Sequence, residues 1–149
     1  MRVALLAYNA RCHNAVGNQI AEKVRFFQER GAEVRLFVQD IGKLHPEVRA
    51  CTVHVPTPAA TGPTWDYLRQ ADLVFAVYAQ YHDLLQYLPV LAGTGPRIVF
   101  DFLGVTPSEH WDHADRARLE PSIRQRGYVW SADQALTMSL AGPASGTGA

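Results

Sequence analysis

Side chains able to do chemistry gather in three short stretches of the 149-residue chain: Asn9 to Asn18, Gln80-Tyr81-His82, and Gly104 to Glu109. Within them Asn9, His13, Asn14, Asn18, Gln80, Tyr81, His82, Thr106 and Glu109 can each hydrogen-bond a polar ligand. Backbone N–H groups beside Gly17, where a helix is about to begin, form a natural seat for an anion. Amides mixed with aromatics suit carbohydrate, and they suit many other small molecules. The alternative is plain solvation, because connecting segments are polar in any case. Asp101, near the end of an apolar run, reads either as a functional acid at a strand end or as a cap on neighbouring loop N–H groups.

Several chemistries are disfavoured by spacing. The first loop holds one glycine where a dinucleotide fingerprint needs three, and no G-x-x-x-x-G-K-[ST] exists, so neither NAD, FAD nor a P-loop nucleotide is indicated. No Gly-x-Ser-x-Gly elbow is present. Cys12 adjoins His13, but neighbours in sequence do not make a nucleophile–base pair. His110 and His113, interleaved with Asp112 and Asp115, read as the solvated face of a charged helix, and no metal is expected.

The elements that must hold these stretches follow from periodicity. Val3 to Tyr8 is a continuous apolar run, as expected of a strand buried on both faces. From Gln19 to Arg30 the apolar positions Ile20, Val24 and Phe27 recur at helical spacing, and Gly31 is placed to end the helix. Glu33 to Val38 reads as the second strand, which completes a right-handed βαβ unit. Cys51 to Val55 reads as a short strand, Thr64 to Gln70 as one or two helical turns, and Asp72 to Tyr78 as a buried strand. Asp83 to Leu91 reads as a short helix with Leu84, Leu85, Leu88 and Leu91 turned inward. Ile98 to Phe102 is expected to be another buried parallel strand, followed by a polar helix from about Asp112 to Arg126 and a last strand near Gln134 to Ser139. Strands alternating with helices predict an α/β, Rossmann-like three-layer sandwich with a mainly parallel sheet. It occupies residues 1–140, and 141–149 form a flexible Gly/Ala/Ser tail. The three polar stretches are all strand exits, so they meet at one edge of the sheet.

Composition narrows the class. Lys plus Arg (14) balances Asp plus Glu (14), so no net field draws the chain to nucleic acid. Apolar stretches such as Leu73 to Ala79 are far too short to span a bilayer. With two cysteines in different segments and no signal-peptide pattern, a reduced cytoplasmic setting is expected.

Three segments resemble a known family. Asn14-Ala15-Val16-Gly17-Asn18-Gln19-Ile20, before a helix ending in Glu29-Arg30-Gly31-Ala32-Glu33-Val34, is similar to the opening of GT-B glycosyltransferases. The likeness is to the amino-terminal domain of the large retaining family 4, which includes sucrose and mannosyl transferases. Phe100 to Trp111, with Gly104-Val105-Thr106-Pro107-Ser108-Glu109 at its centre, resembles that family's "H-x-[IV]-T-P-P-E-[FW]" region, and Ser131 to Leu136 resembles its "ADLAL" strand. Leu103 stands where relatives often carry a histidine.

The resemblance implies sugar transfer from a nucleotide-sugar, as co-substrate and not resident cofactor, to a hydroxyl acceptor. It places Gly17 and Asn18 toward the donor phosphates. Asn9, His13, Asn14, Gln80, Tyr81, His82, Asp101, Thr106 and Glu109 fall on the acceptor side, and no catalytic residue is assigned. No E-x7-E donor signature or second Rossmann unit fits after Ser139. The resemblance thus implies either a truncated gene product or one half of a split enzyme whose partner is a separately encoded carboxy-terminal donor domain, and turnover by this half alone is not expected. Homo-oligomerisation through the uncovered interdomain face is a natural consequence. The rival readings are a non-catalytic interaction module and a small flavodoxin-like nucleotide binder.

Overall fold

The computed structural model describes residues 1–103 of the chain. They form strand β1 (Arg2–Ala7), helix α1 (Ala15–Glu29), β2 (Glu33–Val38), a 3-10 turn (Pro46–Cys51) and β3 (Thr52–His54). Helix α2 (Gly62–Gln70), β4 (Leu73–Tyr78), a second 3-10 turn (Asp83–Gln86), helix α3 (Tyr87–Leu91) and β5 (Arg97–Phe102) complete them. The five strands make one sheet in the order β3-β2-β1-β4-β5, with every pairing parallel. This is an α/β, Rossmann-like arrangement.

The continuous apolar run of β1 has a direct cause. Successive side chains of a strand point to opposite faces, and both faces here are covered. Ala4 and Leu6 enter a core shared with Leu68 of α2 and with Leu84, Leu85, Leu88 and Leu91 of the 83–91 segment. Val3, Leu5 and Ala7 enter a second core with Ile20, Ala21 and Val24 of α1 and with Val48 of the first 3-10 turn. Two cores flank one sheet, which makes the three layers.

Helix α1 begins four residues before the expected start. The Asn14 side chain accepts from the N–H groups of Val16 (2.8 Å) and Gly17 (3.3 Å), so the helix is capped at Asn14 and Gly17 lies in its first turn. At the other end Gly31 adopts φ +77°, with Gly31 N–H on Gln28 O and Ala32 N–H on Phe27 O, the closure that glycine allows. Replacing Asn14 by alanine should cost about 1 kcal/mol, read by urea unfolding, whereas Asn14→Asp, which can also cap, should hold stability near wild type.

Two further expectations change. The 83–91 segment is split rather than one helix. Pro89 lacks an N–H and its ring would crowd the carbonyl of Leu85 in a continuous helix. In the split segment Pro89 falls in the first turn of α3, where no such bond is required. All four leucines still point inward. The strand at 97–102 is not buried on both faces: Ile98 is 1% exposed, but Val99 is 38% and Phe102 51%. Among the described residues β5 pairs with β4 and has no neighbour on its other side, so its apolar run is only half covered. The expected elements and tail beyond Leu103 lie outside the described residues.

Candidate functional site

In a parallel sheet the chain leaves each strand at the same edge, and where neighbouring connections turn to opposite faces a crevice opens between them. That point lies between β1, which is followed by α1 on one face, and β4, which is followed by the 83–91 segment on the other. A cleft of about 180 Å³ sits there, lined by Ala7, Tyr8, Asn9, Arg11, Asn14, Val16, Val77, Ala79 and Gln80.

The β1–α1 loop is fixed from two sides. Gly17 packs so closely against it that a Cβ on this residue would lie 1.9 Å from the Arg11 carbonyl oxygen. On its other side the loop is tied to residues 43–45. Arg11 bridges to Leu44, Cys12 N–H donates to Lys43 O (2.8 Å), and His45 N–H donates to Ala10 O (2.7 Å). Between these ties His13 turns through left-handed backbone at φ 58°. The Arg11 guanidinium donates to Asp40 Oδ2 at 2.7 Å. Asp40 in turn accepts from Gly42 N–H (2.9 Å) and from Asn9. The hydrogen bond from Arg11, reinforced by the Gly42 amide, holds the Asp40 carboxyl below the usual carboxylate range.

Past the end of β1, the exits of β2 and β4 are clasped together. Gln39 Nε2 donates to Asp83 Oδ2 (2.7 Å), and Asp83 N–H donates back to Gln39 Oε1 (2.9 Å). Tyr81 O–H donates to the other oxygen of Asp83. Beneath this clasp, Gln39 N–H and Asp40 N–H both reach Tyr8 O, at 3.0 and 2.8 Å. Burial, followed by its bond to the Asp83 carboxylate, raises the Tyr81 phenol above its ordinary range, so it remains a neutral donor.

Asn9, Asn14 and Gln80, three of the residues singled out by their place after a strand, come together in the cleft. Other candidates lie elsewhere. His82 is 1% exposed, and its Nε2–H donates to Val77 O at 3.0 Å. Its Nδ1 has no partner among the described residues. Desolvation lowers its pKa to about 4, so the ring is neutral. His13 and Asn18 are exposed. Asp101 is half-buried and pairs with Lys23 of α1 at 3.2 Å, and the loop that follows it lies outside the described residues. Thr106 and Glu109 lie outside the described residues, as do His110 and His113. Arg11, Tyr8 and Asp40 were not anticipated. The signal for Arg11 was its being the one basic residue in the β1–α1 loop besides histidine.

A second hollow, about 170 Å³, lies between Pro58–Ala60 and the side chains of Trp65, Gln86, Tyr87 and Val90. The Tyr87 hydroxyl is already spent on the backbone of Ala59, and little polar chemistry remains there. Both cysteines are free thiols. Among the described residues no cluster of His, Cys, Asp or Glu could hold a metal ion, and no helix is long and apolar enough to cross a membrane.

No protein-family model matches the sequence, and neither does any curated protein. Among solved structures, the chain is similar to the crystal structure of S. aureus homoserine dehydrogenase, with 14% identity over 91% of this chain and a TM-score of 0.39. The match spans 30% of that enzyme's length. At this distance the likeness says nothing of function.

Proposed function

We propose that this domain is the acceptor-side half of a retaining GT-B glycosyltransferase, with a hydroxyl-bearing acceptor held in the cleft between the β1 and β4 exits. The single observation that supports this reading is the convergence of Asn9, Asn14 and Gln80 on that cleft, all three on the side where the family resemblance puts the acceptor. A sugar hydroxyl both donates and accepts, and a carboxamide offers both functions in one plane. Gln80 is exposed and makes no side-chain hydrogen bond among the described residues, so both its functions are free for a ligand.

In the proposed reaction the acceptor oxygen forms a new bond to the anomeric carbon of the donor sugar. The bond from that carbon to the nucleotide diphosphate breaks, the diphosphate leaves with the bonding pair, and the acceptor hydroxyl passes its proton to the departing diphosphate. The described residues supply one wall of such a site. Aligning donor with acceptor and excluding water require a second wall, the donor domain.

The test is a thermal-shift and calorimetric titration of the 149-residue chain with UDP-, GDP- and ADP-sugars, alone and with a donor domain encoded downstream. A ligand that binds the folded state raises its stability. Nucleotide-sugar binding and sugar transfer that appear only with the donor domain are expected. Turnover by the chain alone would overturn the half-enzyme reading, and silence in both arms would overturn the glycosyltransferase reading altogether.

A further inference from the structure

We infer that the acceptor taken by this cleft is anionic, a sugar or polyol carrying a phosphate or carboxylate group that Arg11 receives. The inference rests on reading the cleft as the acceptor site and names the class of acceptor.

Among the described residues, Arg11 is the one charged residue that lines the cleft. Its side chain is 41% exposed, yet it is not a free surface arginine. Its main chain is pressed against Gly17 and bridged to Leu44, and its guanidinium is tied to Asp40 through a single nitrogen. Asp40 does not line the cleft and is itself held by Gly42 and Asn9. The carboxylate therefore acts as a bracket set behind the cation. It fixes the guanidinium while leaving further N–H groups of the fork for a ligand. Nε is buried, so the guanidinium would meet a ligand through its outer nitrogens.

Helix α1 has no acidic residue in its first turn, so its positive end adds to the same field. The helix does not read the anion through its own amides, however. The N–H groups of Val16 and Gly17 are both taken by Asn14. Recognition thus falls to the side chain of Arg11, whose planar fork matches a phosphate or a carboxylate. Asn9, Asn14 and Gln80 would then meet the hydroxyl groups of the same molecule.

The test compares glucose, glucose 6-phosphate, glucuronate and inorganic phosphate by calorimetry on the full chain, in wild type and in Arg11→Gln, Arg11→Lys and Gln80→Ala. Glucose 6-phosphate and glucuronate are expected to bind about 10- to 100-fold tighter than glucose, the range of a charge-assisted hydrogen-bonded pair. That advantage should vanish in Arg11→Gln, survive in part in Arg11→Lys, and shrink for wild type as salt is raised. The salt series needs no variant, so it decides the matter even where Arg11→Gln folds poorly. Equal affinity for glucose and glucose 6-phosphate, or an advantage that persists in well-folded Arg11→Gln, would overturn the inference and leave the acceptor reading standing. Anions that bind through Arg11 with no contribution from the sugar and no effect of Gln80→Ala would overturn the acceptor reading and leave an anion site. Binding of none of the four would overturn both.

Discussion

Replacing Gly17 by alanine should destabilise the domain by about 3 kcal/mol, the upper end for overpacking, and lower its melting temperature by roughly 10 °C. The sign is the informative part. Alanine in place of glycine inside a helix ordinarily adds about 1 kcal/mol of stability through backbone entropy and propensity. Here the new methyl would stand 1.9 Å from the Arg11 carbonyl oxygen, well inside any real carbon–oxygen contact. The obstacle is main chain, so no side-chain rotation relieves it. Either the loop or the helix must move, and the loop is also tied to Leu44, Lys43 and His45. Melting followed by circular dichroism checks the stability. A rise in melting temperature would show that the loop does not approach the helix as described. A fall accompanied by weaker binding of glucose 6-phosphate would also link this packing to the placement of Arg11.

Stability should decline as pH falls from about 6.5 toward 4, by roughly 3 kcal/mol, through His82 alone. Burial lowers the folded-state pKa of this ring from 6.5 to about 4. Between those values the unfolded chain binds a proton that the folded chain does not, so stability is full above the window and is lost within it on acidification. Asp40 acts in a lower range. Its folded pKa lies below 3.8, so its contribution is present above that value and is lost only as pH drops further. Urea unfolding at pH 7, 6, 5 and 4 separates the two. His82→Leu is expected to flatten the upper window while leaving the lower one. It should also be less stable than wild type at pH 7, because Val77 O loses its donor. An unchanged slope in the variant would remove His82 as its cause.

The sheet was legible where burial is symmetrical. Strands β1 and β4 match their apolar runs within a residue or two, because a strand covered on both faces shows its whole length as hydrophobic, and β2 matches an alternating start that turns apolar from Leu36. The same signature misleads at β5. Ile98 to Phe102 is apolar but for Asp101, yet among the described residues it has a neighbour on one side only, which is decided by the sheet order and not by its own residues. Periodicity places the start of α1 four residues late because Asn14 and Asn18 are both able to cap, and it does not say which oxygen reaches the free amides.

The site divides along a similar line. Asn9 and Gln80 follow β1 and β4 within two residues, so strand ends alone place them at the carboxyl edge. Tyr81 and His82 come next in sequence, but one is turned to Asp83 and the other into the interior, and spacing carries no such direction. Arg11 owes its position to Asp40, 29 residues away, a relation that exists only once β1 and β2 are paired.

The reciprocal bonds between Gln39 and Asp83 also govern how the carboxyl edge of the sheet can open. They join the exits of β2 and β4 past the end of β1, while Gln39 and Asp40 are themselves bonded to Tyr8. The two exits cannot spread apart without giving up a pair of hydrogen bonds together. Separation of the two exits is therefore all-or-none, and the loops they carry are released as one unit or not at all. Amide hydrogen exchange makes this visible: the Asp83 amide should open together with the amides of Gln39 and Asp40, as one unit and at one rate.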